Sequence, residues 1–384
     1  MELEILRQMK KVGVVTFSHS QENYGQILQG FALVNFLKSI GTDAFLIRVK
    51  HDDVDGRSCF QKIFDKLKLL VNPFRLQKIY KESTEQKRLD RELQRTILQY
   101  PRYFERFIKE NIPSTNIWYD DNSIVLNPPY ADAYVCGSDQ IWGGDIPFMY
   151  LQFADKDKIR LSYAASFGGM IPSKFVQCKI QKYLSNFHWI TVREKFGQDL
   201  CHQIGIKDVE VVPDPTLLLD EYVYKNLITS ETLLYKDDPY IFVYMLGNKV
   251  SLDINEIFDF AHENSLKIKY VTAHGRVDDK IKSYPTIEEW LSLIINSSYV
   301  ITNSYHGTIF SMIFHKKFIT IPLVGIRARM NTRLEELLSR YELKSRVYES
   351  TLTSLFEDID YTIFDEKIII ERKYINNKLR KILV

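Results

Sequence analysis

Along most of this chain, short apolar runs that end in small or polar residues alternate with stretches of helical spacing. That alternation decides what the chain can fold into. The first run covers 12–17 and gives way to a polar segment, 18–26. Ile27, Leu28, Phe31, Ala32, Val34, Phe36 and Leu37 then recur as on one helix, and Gly41 closes it. A second run follows at 44–49, so the chain opens with a strand–loop–helix–strand unit. Further runs at 133–136, 160–165, 187–192 and 209–212 each stop at polar or small residues. A second cycle places strands at 240–246, 267–272, 299–302 and 318–323, with helices at 254–264 and 287–295. Apolar runs of this length suit parallel strands buried on both faces. The pattern predicts an α/β protein with doubly wound sheets, whose ligands lie at the C-terminal ends of the strands.

A chain of 384 residues is long enough for two such domains. The change of cycle falls between Leu219 and Pro239, which predicts domains over 1–225 and 226–384 and a terminal helix after Phe364. The net charge is only +2, which argues against a dedicated nucleic-acid binder. That balance hides an uneven distribution. Residues 57–110 carry 14 Lys/Arg against 7 Asp/Glu, leaving the remainder mildly acidic. The segment reads as a helical insertion with a solvated basic face, and as a candidate contact for anionic lipid or a phosphorylated acceptor. Cys59, Cys136, Cys178 and Cys201 form no CxxC pair, so neither a zinc ribbon nor a disulfide scaffold is expected.

Residues 290–315 carry no formal charge and are long enough to span a bilayer. Asn296, Asn303, Ser304, His306 and Gly307 lie inside the stretch, so it reads as helix, buried strand, polar loop and helix. The first residues lack the apolar core of a signal peptide. A cytoplasmic place, peripheral to the inner membrane face at most, is the expectation. The stretch 51–56 looks like a calcium loop but begins with His51 and has Lys62 where the closing Glu should be. No GxGxxG or P-loop occurs, and no spacing of His, Asp or Glu argues for a metal.

Several strand-end motifs occur together and in order. They are Asn23-Tyr24-Gly25-Gln26, Cys136-Gly137-Ser138-Asp139-Gln140, Ser162-Tyr163-Ala164-Ala165-Ser166-Phe167-Gly168, Val192-Arg193-Glu194-Lys195, Asp214-Pro215-Thr216 and Asn303-Ser304-Tyr305-His306-Gly307-Thr308. In this order they resemble the polysaccharide pyruvyl transferase family over roughly residues 12–325. The resemblance implies a GT-B-like fold, two Rossmann-like domains facing across a cleft, with the helical insertion in the first. It also implies transfer of pyruvate from phosphoenolpyruvate to two hydroxyls of a sugar, giving a cyclic ketal in surface or exopolysaccharide synthesis. No cofactor is implied beyond the donor substrate. The acceptor would be a sugar or lipid-linked oligosaccharide.

Such chemistry needs a proton shuttle and a cradle for anions. A free imidazole, with a pKa of about 6.5, can both give and take a proton, and the loop of His306 precedes a helix whose N-terminus favours anions. On position alone it reads as a structural histidine, and the resemblance makes it the expected catalytic residue. His19 and His274 are the next candidates. Donor binding is expected from Arg193, Ser304, Tyr305, Gly307, Thr308, Arg327 and Arg329. Better-known members of the family carry Arg where this chain has Ser304, so Arg327, Arg329 or Arg333 would supply the missing charge. Acceptor contacts are expected from Asn23, Tyr24, Gly25, Ser138, Asp139 and Gln140. Asp214 reads first as a turn former, kept in view by its strand-end position. The alternatives are a glycosyltransferase of the same architecture using a nucleotide sugar, and a non-catalytic sugar-binding relative.

Overall fold

The computed structural model describes residues 9–50, 84, 88, 91, 94–229, 239–273 and 275–384, without the side chains of Ile326 and Arg327. Most of the basic stretch 57–110, together with His51, Cys59 and His274, lies outside the described residues. In chain order the elements are β1 (Lys11–Val15), α1 (Tyr24–Ser39), β2 (Asp43–Ile47), α2 (Phe104–Asn111), β3 (Ala133–Cys136) and β4 (Ile159–Ser162). Next come α3 (Lys174–Leu184), β5 (Ile190–Val192), α4 (Lys195–Gln203) and β6 (Val209–Val211). The second half holds β7 (Tyr240–Leu246), α5 (Ile254–Glu263), β8 (Lys267–Ala273), α6 (Ile287–Asn296) and β9 (Tyr299–Thr302). It ends with α7 (Tyr305–Ile313), β10 (Lys317–Thr320), α8 (Asn331–Arg340) and α9 (Thr362–Leu383).

Both halves are built on parallel sheets, as the apolar runs predict. The first has the order β2-β1-β3-β4, and the β5-β6 pair continues it through bridges from Leu161 to Trp189 and from Ala165 to Val192. The second has the order β10-β9-β7-β8. Each chain path starts at an inner strand, steps outward, then returns across the start. That places a topological switch point between β1 and β3 in one sheet and between β7 and β9 in the other. Loops splay apart at such points and leave room for a ligand.

Side-chain alternation shows how the halves are joined. On β7, Tyr240, Phe242 and Tyr244 face a core that also takes Val12 and Val14 of β1. Ile241, Val243 and Met245 face a separate core on the far side of the second sheet. The shared core is rich in aromatics. Tyr24 at the start of α1 stacks on Trp290 of α6 with ring centroids 5.1 Å apart, and Tyr224 meets Phe310 of α7 edge-on at 4.9 Å. Large rings bury much apolar area with few rotors to freeze, so they suit a contact that must fix one half against the other. The terminal helix α9 reaches back to the first half, where Arg372 donates to the carbonyls of Leu217 and Leu219.

The uncharged stretch 290–315 folds as α6, β9 and α7, with Asn296 ending α6 and Asn303, Ser304, His306 and Gly307 at the β9–α7 junction. No helix among the described residues is long and apolar enough to cross a membrane.

Candidate active site

Two helix starts meet where the sheets face one another. Asn23 caps α1, its side chain accepting from the Gln26 amide at 3.3 Å. Ser304 caps α7 in the same way, its hydroxyl accepting from the Gly307 amide at 3.2 Å. This cap moves the helix start upstream of the expected position. The sequence pattern places His306 in a loop ahead of Gly307, whereas it occupies the first turn of α7. Gly307 is required there, since a Cβ would lie 2.6 Å from the Thr302 hydroxyl oxygen. Asn303 ties the switch point shut, accepting from the Leu246 amide at 2.7 Å and donating to the Leu246 carbonyl at 2.9 Å.

His306 projects from this turn across the boundary between the halves. Its ring lies directly against Gly25, where a Cβ would come within 2.2 Å of Cγ and Nδ1. On its other edge, Nε2 is 3.5 Å from Oδ2 of Asp214, an ion-pair contact longer than a good hydrogen bond. The imidazole is 7% exposed.

Asp214 follows β6 and is buried. Its Oδ1 accepts from the amide and the hydroxyl of Thr216 at 3.0 and 2.7 Å. Its Oδ2 accepts from the Ser138 hydroxyl at 3.1 Å and from Nη1 of Arg193 at 3.1 Å. Burial alone would raise the carboxyl pKa. The neighbouring His306 and Arg193, with the Thr216 amide, outweigh it and hold Asp214 well below the usual carboxylate range. The turn-forming role expected of this residue is present in the Thr216 contacts. Its charge contacts come from elements far apart in the chain.

Arg193, at the end of β5, is surrounded by carboxylates. Besides Asp214, its Nε lies 3.6 Å from Glu194 and its Nη2 3.9 Å from Asp139. The Tyr305 ring lies 4.4 Å from its guanidinium carbon, a cation–π contact. Burial would favour losing the proton, but Tyr305 and the three carboxylates raise the pKa of Arg193 further, so it is a fixed cation. Glu194 is positioned by the Ser166 hydroxyl, which donates to it at 2.6 Å. Asp139 adopts a left-handed backbone, φ 74°, so the turn after β3 presents its carboxylate toward Arg193.

The remaining expected residues divide clearly. Gln140 packs against Gly168 beside the β3 turn. Tyr24 is buried, with its hydroxyl donating to the Pro285 carbonyl at 2.7 Å, so both its ring and its hydroxyl are used between the halves. Thr308 is buried too, its hydroxyl bonded to the Ser304 carbonyl at 3.1 Å and paired with Thr320 at 2.9 Å. Arg329 is exposed in a 3-10 turn, Gly325–Met330, whose backbone passes beside Gly169. The side chain of Arg327 lies outside the described residues. His19 sits apart from the cluster, edge-on to Trp118.

A cavity of about 450 Å³ opens beside the cluster, lined by Arg193, Asp214, Tyr305, Arg333, Glu336 and Arg340 among others. Arg333, on the first turn of α8, sits 5.8 Å from the Tyr305 ring. Among the described residues no group of three or more His, Cys, Asp or Glu could hold a metal ion. The arrangement therefore offers an imidazole on a buried carboxylate, a fixed arginine and a pocket with further cationic walls. Such a set can move protons and hold an anion.

No curated protein matches the chain significantly. Solved structures similar to it include UDP-N-acetylglucosamine 2-epimerase from Rickettsia bellii, at 9% identity and TM-score 0.47, covering 97% of this chain and 99% of that one. The UDP-GlcNAc 2-epimerase from Methanocaldococcus jannaschii is similar at 11% identity and TM-score 0.44, with 94% and 99% covered. The glycosyltransferase SnogD from Streptomyces nogalater is similar at 10% identity and TM-score 0.38, with 96% and 95% covered. The family model for polysaccharide pyruvyl transferase matches residues 23–323, which include every strand-end segment of the site. The chain is therefore a transferase that belongs to the polysaccharide pyruvyl transferase family.

Proposed function

We propose that the protein transfers pyruvate from phosphoenolpyruvate to two hydroxyls of a sugar, forming a cyclic ketal during surface polysaccharide synthesis. The observation that carries this reading is the placement of His306 on Asp214 beside the Arg193 cation. The reaction adds a proton to the donor methylene carbon, while one sugar hydroxyl adds to the adjacent carbon. The second hydroxyl then displaces phosphate from that carbon. One hydroxyl proton ends on the new methyl group and the other leaves with phosphate, so atoms and charge balance.

His306 gives and takes these protons, with Nε2 turned toward Asp214. Asp214 keeps its charge and favours the imidazolium that forms between steps. Arg193 holds a donor oxyanion, and its carboxylate neighbours keep the guanidinium aimed. The unit 1–225 contributes Asn23, Gly25, Ser138, Asp139 and Gln140 on the acceptor side, and the unit 226–384 contributes the 304–308 turn. The basic stretch 57–110 brings the enzyme to an anionic membrane surface where lipid-linked acceptors reside, a contact that weakens with salt.

Mass spectrometry of products tests the reading. Incubating the protein with phosphoenolpyruvate and a panel of nucleotide- and lipid-linked sugars is expected to yield a pyruvyl ketal and free phosphate. Transfer of a hexose from a nucleotide sugar, or no product with any acceptor, would overturn it.

A further inference from the structure

The cavity beside the site has four basic side chains in its wall, and three of them are neutralised. Arg193 is paired with Asp214, Lys195 with Asp199 at 2.8 Å, and Arg340 with Glu371 at 2.6 Å. Arg333 is the exception. It is 7% exposed, its Nε has no hydrogen-bond partner, and no carboxylate among the described residues comes within ion-pair distance. Glu336, also in the wall, accepts from the Lys195 amide at 2.6 Å.

Arg333 sits in an unfavourable place for a cation. Burial penalises its charge and Arg193 on the same Tyr305 ring repels it; these outweigh the attraction of Glu194, Asp139 and Tyr305 and lower its pKa. It also sits in the first turn of α8, where the helix dipole disfavours a cation. A buried, unpaired guanidinium is retained at a cost of stability unless a ligand completes it.

We propose that Arg333 is the anchor of an oxyanion site in this cavity, filled by the phosphate group of a small phosphorylated acid. A phosphate there accepts from the free edge of Arg333 and relieves the repulsion between Arg333 and Arg193. The site itself rests on the unpaired guanidinium; only the naming of its natural occupant as the donor phosphate rests on the function proposed above.

Arg333→Met keeps the aliphatic stem and removes the charge, and Arg333→Lys keeps a point charge without the planar fork. Calorimetric titration of the full chain with inorganic phosphate and, separately, with phosphoenolpyruvate compares the three proteins, with thermal unfolding recorded for each. Arg333→Met is expected to be at least as heat-stable as wild type without anion. It should bind phosphate about 10- to 100-fold more weakly, with Arg333→Lys in between. Folded Arg333→Met that binds phosphate as tightly as wild type would overturn the site, and so would a wild type that binds no phosphate. Phosphate lost on substitution while phosphoenolpyruvate fails to bind wild type would keep the site and refute the donor. Phosphate and phosphoenolpyruvate both binding equally to wild type and Arg333→Met would refute the site and leave the donor standing.

Discussion

Oδ2 of Asp214 lies 3.5 Å from Nε2 of His306 and 3.1 Å from Nη1 of Arg193. One carboxylate oxygen thus touches both the imidazole from the second half and the guanidinium from the first. The proposed proton-handling and anion-holding groups are coupled through it. Replacing Asp214 by Asn keeps the shape and removes the charge. Turnover of the Asp214→Asn variant is expected to fall ~100-fold or more, because the imidazolium loses its counter-charge. Steady-state phosphate release measures this, with circular dichroism to establish that the variant is folded.

The same carboxylate links stability to acid. Its folded pKa is depressed, so the stability it contributes is complete above its unfolded value, about 3.9, and is lost as pH falls from there toward the folded value. Denaturant unfolding of wild type and Asp214→Asn should therefore show the largest gap at neutral pH, about 3–5 kcal/mol for a broken buried pair. The gap should narrow steadily below pH 4. A gap that stays constant down to pH 2 would mean that the Asp214 charge contributes nothing.

Gly25 tests the contact between the halves at the site. An added Cβ would lie 2.2 Å from the His306 ring, a separation that forces the imidazole to move. Gly25→Ala is expected to lose at least ~10-fold in turnover, since misplacing a catalytic group by about 1 Å is that costly. A helix gains up to about 1 kcal/mol from Gly to Ala, so any loss of stability in unfolding measurements comes from the clash.

Tyr24 separates a structural role from a binding one. Tyr24→Phe keeps the stack on Trp290 and removes the bond to Pro285, costing about 1–2 kcal/mol in denaturant unfolding. Because the side chain is buried between the halves, the acceptor KM should not change.

Much of this arrangement was legible in the sequence. Apolar runs such as 240–246 marked buried parallel strands because they lack the polar alternation of a half-exposed strand. Their polar ends mark the ligand edge, where Arg193, Asp139 and His306 lie, and only the family resemblance raises His306 above a structural histidine. What local pattern could not show was convergence. Asp214 reads as a turn former because its Thr216 contacts are local, while Ser138 lies 76 residues upstream of it. The expected start of α7, at Gly307, falls two residues late because the cap is Ser304, whose hydroxyl reads equally well as a ligand for the donor. Arg333 sits among ordinary helix residues, and only burial without a partner distinguishes it from a solvated arginine.

The role proposed for His306 is to move the protons of a phosphoenolpyruvate-dependent transfer. Phosphate release from phosphoenolpyruvate, measured with an accepting sugar for wild type and for His306→Ala, tests it most directly. Acceptor-dependent release by wild type and a loss of about 100-fold or more in His306→Ala are expected, with phosphoenolpyruvate still bound. Unchanged release by folded His306→Ala would contradict it.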